Sequence, residues 1–234
     1  MVYLSIAMYI VYFLVLMLLP LYAQRKVMKT YRRYSEVRST SGMTGAEVAR
    51  TILDNNGLSN VRVVRTEGVL SDHYDPTSKT VALSADNYDY ASVAGTAVAA
   101  HECGHAIQHK EAYAFLTLRS KLVPAANISS NVSWIFIMIG MFSTAMHQLM
   151  LVGIVLLAVG VLFQIVTLPV EFDASRRAMH QVVDLGIIRN EEEPHARKVL
   201  SAAALTYVAA AATAVMELLR LLLIYTGMGN NNDD

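Results

Sequence analysis

In His101-Glu102-Cys103-Gly104-His105, two histidines stand four residues apart with a glutamate directly after the first. On a helix, positions i and i+4 lie one above the other, so both imidazoles reach a single zinc ion. Glu102 points one step around the same helix. It is poorly placed to join the ligands and well placed to take a proton from an attacking water. The chemistry of such a constellation is metal-assisted hydrolysis, with peptide bonds as its natural substrate.

A catalytic zinc keeps three protein ligands and one open position, so one more His, Asp, Glu or Cys is required. His109 lies two turns beyond His101, roughly 12 Å along the axis by helical rise, and reads as a solvated helix-end histidine. A third histidine shortly downstream is missing, because Glu111 follows and the next histidine is His147. Glu171 is better placed: in Leu168-Pro169-Val170-Glu171-Phe172-Asp173-Ala174-Ser175 it leaves the end of an apolar run, where an unpaired carboxylate is costly. Its competing role is an ion pair with Arg176 or Arg177. Asp173 has two jobs open to it, accepting the second ring N–H of a ligating histidine or pairing with Arg177 four residues on. His73, Tyr74, His180 and Arg176 are the available donors for a developing oxyanion, and spacing does not choose among them. Two neutral imidazoles and one carboxylate leave a zinc site with one net positive charge, which keeps the ion a Lewis acid. Cys103 reads as a small packing residue within the motif.

The elements that must position these side chains begin with four apolar blocks. Tyr3 to Tyr22 carries no charge and is followed by Arg25, Lys26, Lys29, Arg32 and Arg33, which fits an anchor and not a cleaved signal. Val132 to Gln148 and Leu149 to Val170 form the second and third spans, with a tight turn expected at His147 and Gln148. Leu200 to Tyr225 is the fourth, in which Glu217 and Arg220 stand three apart and can pair. Lys and Arg cluster after the first block, before the second and between the third and fourth, so those segments are expected in the cytoplasm and both chain ends outside. The resulting division is span 3–22, hydrophilic portion 23–131, spans 132–148 and 149–170, cytoplasmic segment 171–199, span 200–225 and polar tail 226–234. Equal numbers of basic and acidic residues, 19 of each, give no excess positive charge for a nucleic-acid partner. The single cysteine rules out an internal disulfide.

Within the hydrophilic portion, Thr44-Gly45-Ala46-Glu47 is a capping box that opens a short helix ending at Gly57. Val61 to Val64 and Thr80 to Leu83 have strand composition and are expected to pair as a small hairpin across Asp75-Pro76. Ala91 to Lys110 is expected as one helix carrying the zinc motif.

Several stretches extend this pattern. Asp72 to Pro76, Val98 to Gln108, Glu171 to Ser175 and Ala202 to Ala210 resemble the signature segments of the YugP-like neutral zinc metallopeptidases of bacterial membranes. More distantly, Glu171 to Ser175 is similar to the E-x-x-A-D segment of HtpX and the CAAX prenyl proteases, whose Glu completes the zinc site. Ser175 stands where those families have Asp, which makes Asp173 a candidate substitute. The resemblance implies a gluzincin-like, mainly α membrane protein, with four transmembrane helices and a cytoplasmic zincin-like α+β portion. It also implies Zn²⁺ held by His101, His105 and Glu171, with Glu102 as base, cleaving membrane or membrane-proximal proteins. Lipid bilayer and a protein or peptide substrate are then the expected partners, and a regulatory membrane protein or a homo-oligomer stays open. The competing expectations are a site-2-type intramembrane protease and a zinc-stabilised scaffold without activity.

Overall fold

The computed structural model describes residues 6–229, so Tyr3 to Ser5 of the first expected span and residues 230–234 of the polar tail lie outside the described residues. Among the described residues, four helices are long and apolar enough to cross a membrane: they cover Met8–Ser35, Ala114–Phe142, His147–Asp184 and Glu193–Gly227. The elements in chain order are α1 (Ile6–Ser35), α2 (Gly45–Asn55), β1 (Arg62–Thr66), β2 (His73–Asp75), β3 (Thr80–Ser84) and α3 (Ala85–Asp89). Then follow α4 (Val93–Lys110), α5 (Ala114–Phe142), a 3-10 turn (Thr144–Met146), α6 (His147–Asp184) and α7 (Glu193–Gly229). Contacts divide the chain into two units. One takes residues 1–22, 118–168 and 207–234, and the other residues 23–117 and 169–206.

The first unit contains the apolar helical lengths. α5 and α6 form a hairpin whose turn falls at Ser143 to Met146, so that His147 and Gln148 open α6 and do not themselves make the turn. The two backbones come so close that a Cβ on Gly140 would lie 2.2 Å from Met150 N. Small residues permit this approach, which dispersion then rewards in an apolar medium. In α7, Arg220 Nε donates to Glu217 Oε2 at 3.0 Å and Tyr12 Oη donates to the same oxygen at 2.7 Å. The expected pair therefore forms and compensates the charge within an apolar helix, and the tyrosine hydroxyl adds a further donor to the Glu217 carboxylate.

The second unit is α+β. α2 begins with the expected box: Thr44 Oγ1 accepts from Glu47 N at 3.3 Å, and Glu47 Oε2 accepts from Thr44 N at 2.8 Å. Its apolar face, Val48, Ala49, Ile52 and Leu53, is buried in a core with Val81, Leu83, Ala100, Cys103 and Val182. The sheet order is β1-β3-β2, with β1 parallel and β2 antiparallel to β3. This corrects the hairpin expected between the first and last strand-forming runs. Those two runs lie side by side but point the same way, and the hairpin is instead β2 with β3. The cause is local: Asp75 accepts from Thr77 N at 2.9 Å and from the Ser78 hydroxyl at 2.6 Å, closing a turn that reverses the chain only from His73 onward. Every residue of β3 is buried, as befits the central strand.

Two partly buried polar networks brace this unit. Tyr31 Oη donates to Asn87 Oδ1 at 2.9 Å, Asn87 Nδ2 donates to Asp72 Oδ2 at 3.0 Å, and Asp72 Oδ1 accepts from Ser84 N at 2.7 Å. Glu192, just ahead of α7, accepts from Thr40 N at 2.9 Å, Thr40 Oγ1 at 2.5 Å and Arg189 N at 3.1 Å. Burial opposes ionisation of Glu192, but these donors outweigh it and hold the carboxyl below its ordinary value.

Candidate metal centre

Helix α4 starts where Ser92 Oγ accepts from Gly95 N at 3.0 Å, satisfying one of the free N–H groups of the first turn. From there an alanine-rich run carries the chain to the motif, so His101 and His105 sit one turn apart with ring centroids separated by 4.8 Å. α6 supplies the opposing group. At 38 residues it continues past the apolar block into the polar segment that carries Glu171. Pro169 lies inside this helix without ending it.

Glu171 Oε2 lies 3.2 Å from His101 Nε2 and 3.6 Å from His105 Nε2. Ligand atoms about 2.0–2.1 Å from zinc at tetrahedral angles stand about 3.3–3.4 Å from one another, and the two Glu171 separations lie on either side of that edge length. The donor set fits the ion: two imidazole nitrogens and one carboxylate oxygen, all within 4.8 Å of each other. Access is one-sided, because the Glu171 side chain is 2% exposed and that of His101 is 14% exposed. Glu102 is buried beside the pair. Burial disfavours a charged His105, yet the hydrogen bond to Glu171 and the charges of Glu102 and Glu171 prevail and raise its pKa above the usual histidine value.

Each histidine is held from behind. Ser175 Oγ stands 3.2 Å from His101 Nδ1, and Gln108 Oε1 stands 3.1 Å from His105 Nδ1. Asp173 reaches His105 only through Gln108, whose Nε2 donates to Asp173 Oδ2 at 2.9 Å. It is also paired with Arg176 and, at 2.6 Å, with Arg177, which in turn reaches Glu111 at 2.6 Å and so ties the end of α4 to α6. Of the two jobs open to Asp173 in the sequence, it takes the pair with Arg177, while Ser175 and Gln108 stand at the second ring nitrogens of the histidines. Gln108 has no site role in the sequence reading, and Ser175 enters it only as the residue that stands where the HtpX-like segment has Asp. The available signal was that Gln108 follows His105 by three and His101 by seven, on one helical face.

The other candidates stand apart from this cluster. His73 is hydrogen-bonded to the Ser71 carbonyl at 2.8 Å, and His180 pairs with Asp184 at 2.8 Å. Tyr74 Oη and His109 Nδ1 are hydrogen-bonded at 2.8 Å. Cys103 faces α2, with Sγ 3.6 Å from the Ala49 carbonyl, and burial pushes its thiol pKa far up, as suits packing and not nucleophilic chemistry.

Convergence of the two helices depends on Gly104. A Cβ there would stand 2.5 Å from the Ala174 carbonyl oxygen, a backbone atom that cannot swing aside. Gly104→Ala is expected to push α4 from α6, lower stability by about 1–3 kcal/mol and weaken metal binding together with it. Thermal unfolding and zinc titration of the variant measure both. Wild-type values in each would show that the close approach is dispensable.

Fold and site together define a helical membrane protein with a candidate zinc centre. The chain belongs to the family described as "Putative neutral zinc metallopeptidase", whose model matches residues 9–226. It is 48% identical over 214 residues, covering 92% of this chain and 95% of the relative, to the Bacillus subtilis (strain 168) protein named "Putative membrane protease YugP". No solved structure matches it.

Proposed function

We propose that the protein is a membrane-embedded zinc endopeptidase that hydrolyses membrane or membrane-proximal proteins at the cytoplasmic face. The observation that carries this is the convergence of His101, His105 and Glu171, with ligand atoms within 4.8 Å of one another, beside a buried Glu102. Zinc held by those three residues supplies Lewis-acid polarisation of the scissile carbonyl and acidifies water. Glu102 takes the proton of the attacking water on its carboxylate and returns it to the departing amine nitrogen. Ser175 and Gln108 hold the imidazoles in place, so the site reaches its working geometry without reorganisation. The balance of Lys and Arg between segments supports the cytoplasmic side. A centre buried within the bilayer is less favoured, because α4 is not among the four helices apolar enough to span it.

The test is metal analysis and peptide hydrolysis on the purified full chain. One zinc per chain and activity abolished by a chelator and restored by zinc are the expected results. Because zinc needs a neutral imidazole, occupancy and activity should decline together as the pH falls through the raised pKa of His105. Stoichiometric zinc without hydrolysis of any membrane or soluble protein substrate would favour a scaffold.

A further inference from the structure

Gln108 is completely buried, which is unusual for a glutamine, and it has no route to solvent for its amide. Its Nε2 lies 2.9 Å from the Val170 carbonyl and 2.9 Å from Asp173 Oδ2. Neither of those oxygens can donate, so the NH₂ end must face them, and the flipped amide would set three acceptors against one another. The amide oxygen is then forced toward His105 Nδ1 at 3.1 Å. An oxygen acceptor there requires a proton on Nδ1, which leaves Nε2 of a neutral ring with its lone pair directed at the Glu171 side.

We infer that Gln108 is the positioning residue that selects the metal-binding tautomer of His105, with Asp173 and the Val170 carbonyl fixing the sense of its amide. This deepens the zinc-centre proposal and rests on it. The Arg176 and Arg177 side chains keep Asp173 in acceptor form, and Val170 directly precedes Glu171. One side chain therefore reads the position of α6 and sets the histidine on α4. His101 is independent of it, being held by Ser175. Partners of ligating histidines typically matter 10–100-fold for metal affinity.

The experiment compares the full-length wild type with Gln108→Met, which keeps length and removes both functions of the amide, and Gln108→Glu, which keeps the acceptor and loses the donor. Two readouts are taken: the ¹⁵N tautomer signature of His105 in metal-free protein at a pH where the ring is neutral, and the zinc dissociation constant by chelator competition. The wild type should show Nδ1–H at His105. Gln108→Met should lose that preference, leave His101 unchanged and bind zinc about 10–100-fold more weakly. Gln108→Glu should retain the tautomer and bind zinc more tightly than Gln108→Met. Wild-type tautomer and affinity in Gln108→Met, or equal losses in both variants, would overturn the assignment while leaving the zinc centre intact. Absence of zinc binding in the wild type would instead remove the metal proposal, and the tautomer signal would still decide what Gln108 does.

Discussion

Glu102→Gln should lower peptide hydrolysis about 10²–10⁴-fold while the protein still binds one zinc per chain, the loss expected when a positioned general base is removed. The amide has nearly the shape of the carboxylate, so α4 should pack as before. It cannot accept a proton from water or deliver one to an amine. Glu102 also adds its charge to the field around His105, so its neutralisation should bring the pKa of that imidazole down in the metal-free protein. The same charge also attracts the doubly charged zinc ion, so its loss should leave the pH dependence of zinc binding without a gain in acid. The combination is diagnostic: activity falls by orders of magnitude while zinc stoichiometry is kept. Unchanged turnover of a membrane substrate by zinc-loaded Glu102→Gln would remove Glu102 from the mechanism.

The paired histidines of the candidate centre were legible because their determinants are local. Four-residue spacing on a helix is a property of α4 alone, and an alanine-rich run with a serine cap needs no distant partner to form it. Glu171 was legible for a different reason: a carboxylate directly after an apolar run has few places to go. Gln108 and Ser175 were not, because a polar residue on a helix normally faces water and only the close passage of α6 buries one of them completely. The pairing of β1 and β3 was hidden for the same kind of reason. Composition marks a segment as strand, but whether two strands run parallel depends on where the chain between them reverses. Here Asp75 and Ser78 place that reversal after β2. The continuation of α6 past Pro169 was likewise masked by a residue that commonly ends helices.

Glu171→Gln should empty the centre while leaving the fold in place. A structural zinc bound by four ligands gains about 10–16 kcal/mol, or roughly 3 kcal/mol per ligand, so losing one should weaken binding on the order of 100-fold or more. Glutamine can keep hydrogen bonds to His101 and His105, and it removes a charge that is costly to bury. At a pH above the raised pKa of His105, where the ring is neutral and no ion pair is lost, the metal-free variant should unfold at close to the temperature of the metal-free wild type, and the deficit should appear when zinc is added. That pattern separates a ligand from a structural acid: a carboxylate whose task was to pair with protonated histidines would destabilise the metal-free protein when removed and leave zinc uptake alone. Zinc titration and thermal unfolding, each with and without metal, measure the difference. Set beside Glu102→Gln, the two variants divide the site by function, one holding zinc without turning over and the other losing both. Full zinc occupancy in Glu171→Gln at limiting metal would mean that the third ligand lies elsewhere.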